Sequence, residues 1–73
     1  MHILYTAPDI SCEHCKRAIE TAVSALPGVE SVTVSVADKT VDVRLAAGGA
    51  SPAEVRAAIE AAGYPVADER ELT

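Results

Sequence analysis

Ser31-Val32-Thr33-Val34-Ser35-Val36 and Val41-Asp42-Val43-Arg44-Leu45, joined by Ala37-Asp38-Lys39-Thr40, form the stretch on which the fold turns. Val32, Val34 and Val36 alternate with Ser31, Thr33 and Ser35, and Val41, Val43 and Leu45 alternate with Asp42 and Arg44. A period of two predicts a β-hairpin with one face on a core and the other in water.

On the N-terminal side of the hairpin, Cys15, Ala18, Ile19, Ala22, Val23 and Leu26 recur every three or four residues. Glu13, Lys16, Arg17, Glu20 and Ser24 take the opposite side. This spacing predicts an amphipathic helix over residues 13–25, with Ser11 as its cap. It ends at Leu26-Pro27-Gly28-Val29, because Pro27 cannot continue a helix and Gly28 tolerates the turn. On the C-terminal side, Ser51-Pro52-Ala53-Glu54 has the order of a helix start: a Ser cap, Pro at the first helical position and Glu at the third. The second helix turns Val55, Ala58, Ile59 and Ala62 inward and stops at Gly63.

A first strand is expected at residues 1–7, halted by Pro8, with Ile3, Tyr5 and Ala7 on one face of the pleat. A short last strand is expected at residues 64–68. The order βαββαβ is α+β: two right-handed crossovers joined by a hairpin give a ferredoxin-like, open-faced sandwich, a four-stranded antiparallel sheet with both helices on one face. One domain over 1–68 is expected, followed by a charged C-terminal tail, 69–73, that frays.

The chain has 73 residues, 49% of them apolar, and a net charge of −5. A chain this short buries about 60% of the surface that it exposes when unfolded. No apolar run approaches the roughly 20 residues of a membrane span, so no membrane insertion is expected. Six scattered Lys and Arg argue against nucleic acid. The segment from Met1 to Thr6 lacks the basic and long apolar regions of a secretory signal, which implies a cytoplasmic protein. The Met1 start and the charged end at Thr73 are those expected of a standalone chain.

Asp9-Ile10-Ser11-Cys12-Glu13-His14-Cys15 holds both cysteines and lies between the first strand and the first helix. Cys12 falls in the loop and Cys15 in the first helical turn, so their sulfurs converge outside a helix N-terminus. Unpaired N–H groups and the helix dipole there favour thiolates. Thiolates are soft ligands that suit Cu(I) and also attract Zn(II) and other soft metals. Two sulfurs fall short of the four-coordinate shell of structural zinc, which favours Cu(I). A thioredoxin-like redox pair shares the C-x-x-C spacing, but the chain is short, has no Trp beside the motif and orders its elements differently. Two merely structural thiols are the remaining reading.

Taken together, Ile3, Cys12-Glu13-His14-Cys15, Leu26-Pro27-Gly28-Val29, the hairpin and Ala62-Gly63-Tyr64-Pro65-Val66 resemble the heavy-metal-associated domain family, in particular its small bacterial copper chaperones. The resemblance implies a non-enzymatic metallochaperone that binds Cu(I) through Cys12 and Cys15. Its expected partner is a copper-transporting P-type ATPase or the metal-binding domain of one, to or from which copper passes by ligand exchange. A copper-bridged homodimer is compatible with it. Alternatives are a carrier of Zn(II), Hg(II) or Ag(I), a metal-binding domain of a transport ATPase, and, in another class, a thiol-disulfide oxidoreductase.

The resemblance also assigns His14, before the second motif cysteine, and Tyr64, after the second helix, to the surroundings of the metal. The family usually has Gly-Met-x-Cys where this chain has Asp9-Ile10-Ser11-Cys12. Ile10 replaces the Met as an apolar plug. Asp9 adds a hard oxygen donor near the site. Zinc-type members commonly carry an acid directly before the first Cys, and Ser11 in that place favours copper. His14 is expected to tune the thiolates from an exposed position, and Ser11 to act as a cap only.

Overall fold

The computed structural model describes residues 1–72. The element order is β1 (His2–Thr6), α1 (Glu13–Ser24), β2 (Val29–Ser35), β3 (Thr40–Leu45), α2 (Pro52–Ala61) and β4 (Asp68–Glu71). The strands form one antiparallel sheet in the order β2-β3-β1-β4. This is the ferredoxin-like arrangement that the hairpin between two helices requires.

Register explains the core. Val34 stands opposite Val41 and Val41 opposite Tyr5, while Val32, Val43 and Ile3 make the next row. Ile19 and Val23 of α1 and Val55 and Ile59 of α2 close over these rows, and all four are completely buried. Both helices therefore cover one face, and Thr33, Asp42, Leu4 and Arg70 lie on the other. β2 begins two residues before the alternating run, with a register shift between Val29 and Ser31. The extra residue brings Val29 and Val32 to the same side, where both pack against the core.

Tyr5 is the one aromatic side chain at the centre of the core, with no exposed surface. Its hydroxyl donates to the Pro52 carbonyl at 2.8 Å, satisfying the buried group and tying β1 to the start of α2. Burial first, and the Glu69 carboxylate second, raise the Tyr5 hydroxyl above the usual tyrosine range, so it remains a donor. Ser51 and Glu54 form the capping box that opens α2, as the sequence indicates.

The last strand departs from expectation. It occupies Asp68–Glu71 rather than residues 64–68, and Glu69, Arg70 and Glu71, assigned above to a fraying tail, pair with Tyr5, Leu4 and Ile3. Pro65 has no N–H to give a ladder, and Tyr64 and Val66 instead turn their side chains onto the core. The open edge of β1 selects its partner by backbone, against the low strand propensity of acidic residues. Thr73, the end of the expected tail, lies outside the described residues.

The turn after α1 is locked to the loop before α2. Gly28 has φ +77°, and a Cβ there would lie 2.3 Å from the Cα of Gly49. The Ala46 N–H donates to the Gly28 carbonyl at 2.7 Å and the Ala50 N–H to the Pro27 carbonyl at 2.8 Å. Substituting Gly28→Ala adds left-handed strain of about 1–2 kcal/mol to an overpacking cost of about 1–3 kcal/mol. Urea unfolding is expected to show a loss of about 2–5 kcal/mol, most of the stability of a domain this small.

Candidate metal centre

Both cysteines are free thiols. Cys12 is the N-cap residue of α1 and is exposed, whereas Cys15 sits in the first turn and is 9% exposed. Their sulfurs are 3.6 Å apart. Two metal–sulfur bonds of about 2.3 Å each span such a gap, so one ion fits between them. Among the described residues, no third His, Cys, Asp or Glu joins the pair.

What brings the sulfurs together is a loop that dives and resurfaces. The Ile10 side chain is completely buried, and its N–H donates to the Ala7 carbonyl at 3.1 Å, closing a turn over Pro8 and Asp9. Two residues later the chain is at the surface. Cys12 then starts the helix, its carbonyl accepting from the Lys16 N–H at 3.2 Å. Ile10 thus occupies the buried place expected of it, while Asp9 is exposed in the turn.

Ser11 is not the cap. The N-cap is Cys12, which makes no side-chain capping bond, and the Ser11 hydroxyl lies 3.9 Å from the Cys15 sulfur. The helix starts one residue later than a Ser11 cap would set it, because the extended backbone runs on through Cys12. A thiol is a poor acceptor, so the first-turn N–H groups are left for an anion.

Tyr64 reaches the site from the far end of α2. Gly63, with φ +101°, allows a Schellman turn in which the Tyr64 N–H bonds to the Ile59 carbonyl and the Gly63 N–H to the Glu60 carbonyl. That reversal packs Tyr64 against the core on the side of Cys15. The Tyr64 hydroxyl, then the Ser11 backbone N–H, lower the Cys15 thiol from 9.0 to about 6, with burial opposing them. The same interaction raises the Tyr64 hydroxyl above its ordinary value. His14 is exposed and borders a shallow groove along α1 with Arg17, Ala18, Thr21 and Ala22.

One residue at the site carries no signal in the sequence. Lys39, in the hairpin turn, donates from its ammonium to the Ile10 carbonyl at 2.6 Å. A charged residue in a turn reads as solvated, and only the fold brings it to the loop.

The heavy-metal-associated domain model matches residues 4–65. The chain belongs to this family. It is 43% identical over 58 residues to the copper chaperone CopZ of Bacillus subtilis, covering 80% of this chain and 84% of that protein. It is 38% identical over 61 residues to a probable copper-exporting P-type ATPase of Archaeoglobus fulgidus, covering 84% of this chain but 8% of the ATPase. A solved CopZ metallochaperone superposes with a TM-score of 0.87 at 30% identity, covering 90% of this chain and 98% of that one. As a heavy-metal-associated domain, the chain is a metal-binding module and not an enzyme.

Because the Cys15 thiol is held at about 6, its thiolate predominates at neutral pH. Alkylation of Cys15, mapped by mass spectrometry across pH, is expected to show a midpoint near that value rather than in the ordinary thiol range. Tyr64→Phe removes the largest cause and moves the midpoint upward.

Proposed function

We propose that this protein is a cytoplasmic metallochaperone that carries one Cu(I) between Cys12 and Cys15. It exchanges that ion with a copper-transporting P-type ATPase, or with the metal-binding domain of one. The observation that carries the reading is the asymmetry of the pair: two sulfurs 3.6 Å apart, one exposed and one nearly buried, with no third donor among the described residues.

A soft, two-sulfur donor set suits Cu(I), Ag(I) or Hg(II) and offers little to Mg(II) or Ca(II). Zn(II) is accommodated less well because its structural sites take four ligands. Asp9, the expected oxygen donor, is exposed in its turn and does not join the sulfurs, which further supports copper over zinc. Transfer proceeds through two incoming thiolates: the first binds the ion from the open side and displaces the exposed Cys12 sulfur, and the second displaces Cys15. Each step exchanges one metal–sulfur bond for another and leaves the oxidation state unchanged. The likeness to copper ATPase domains supports the choice of partner. His14, exposed on the first helical turn, adjusts the charge around the ion rather than binding it.

The test is competition for Cu(I) against a chelator, with Zn(II), Ag(I) and Hg(II) run in parallel. Cys12→Ser and Cys15→Ser are each expected to release Cu(I) to the chelator while circular dichroism keeps the native signal. Retention by the doubly substituted protein would overturn the reading. Native mass spectrometry of the loaded protein is expected to show one copper per chain, and a copper-bridged dimer appears there as twice the chain mass.

A further inference from the structure

Lys39 is the one non-glycine residue with positive φ among the described residues, at 59°. That region is disfavoured for any side chain with a Cβ, and a hairpin turn is more readily served there by Gly, Asn or Asp. At Lys39 the strain is accompanied by two bonds that leave the turn for the cysteine loop. Its carbonyl accepts from the Ala7 N–H at 2.9 Å, and its ammonium donates to the Ile10 carbonyl at 2.6 Å. These bonds grip the loop at both ends of the Ala7–Ile10 turn. The second is charge-assisted and is the stronger kind.

The Ile10 carbonyl shares its peptide unit with the Ser11 N–H. That unit is planar and trans, so the two groups point in opposite directions, and holding one aims the other. Ser11 lies against the Cys15 sulfur, its hydroxyl 3.9 Å away, and its backbone N–H acts on the same thiol. Lys39 therefore holds, from behind, the peptide whose front donates to the sulfur, and hydrogen bonds linked in this way polarise one another.

We propose that Lys39 is a positioning residue of the metal centre: its ammonium, anchored on the Ile10 carbonyl, fixes the Ile10–Ser11 peptide so that the Ser11 N–H stays on Cys15. The inference rests on Cys12 and Cys15 being the metal ligands. It makes the β2–β3 turn part of the site, although no side chain of that turn touches the ion.

Lys39→Gly separates positioning from stability, because glycine relieves the backbone strain while removing the ammonium. Its thermal midpoint is expected to stay at or above that of the wild type. The Ser11 amide of the metal-free protein exchanges faster with solvent, and Cu(I) is lost to a competing chelator about 10–100-fold more readily, the usual effect of removing a group that orients a ligand. Lys39→Asn, which suits the turn but has no ammonium, behaves like glycine, and Lys39→Arg restores both readouts. Wild-type exchange at Ser11 and wild-type copper retention in Lys39→Gly would overturn the proposal. So would a loss that tracks a fallen thermal midpoint and is not restored by arginine. If the wild type itself fails to hold Cu(I), the metallochaperone reading falls, and Ser11 exchange in the metal-free variants still decides the role of Lys39.

Discussion

The complete burial of Ile10, two positions before an exposed cysteine, is the constraint on which this molecule rests. A loop with polar residues on both sides has no reason to take one conformation, and an apolar side chain driven into the core supplies it. Ile10 sets the depth at which the chain leaves the sheet, and hence where Cys12 begins the helix. The site gains from this without being buried itself. One sulfur remains at the surface while its neighbour is held near the core, and that difference between two chemically identical ligands comes entirely from packing.

Three separate elements close on Cys15. The loop provides the Ser11 N–H and hydroxyl, α1 provides its own N-terminus, and the Schellman turn after α2 provides the Tyr64 hydroxyl. Each donates toward a negative sulfur, and each is rooted in the core through Ile10, Ile19 or Ile59. A thiolate stabilised in this way is ready for a metal at neutral pH, since no proton must first be removed at a cost.

Much of the fold was legible in the amino acids because its elements follow local rules. The alternating valines of the hairpin, the three-and-four spacing of α1, and the Ser-Pro-x-Glu start of α2 describe each element within its own length. The misplaced last strand shows where this ends. Asp68–Glu71 pairs because β1 has an open edge, and nothing in those four side chains announces it. The cysteines could be read as a pair from their spacing, and Tyr64 from a family resemblance. Ser11 has the residue type and place of a cap, but its hydroxyl partner is a sulfur four residues on rather than a backbone N–H. Lys39 was invisible, because its contact joins residues 29 positions apart and depends on the sheet order.

The charged edge strand has a consequence for encounters between molecules. β4 presents Asp68, Glu69, Arg70 and Glu71, all exposed, along one border of the sheet. An edge of unpaired backbone groups recruits other strands, and charged side chains along it discourage that recruitment. A second copy of the chain that meets this border is therefore discouraged from adding a strand to the sheet.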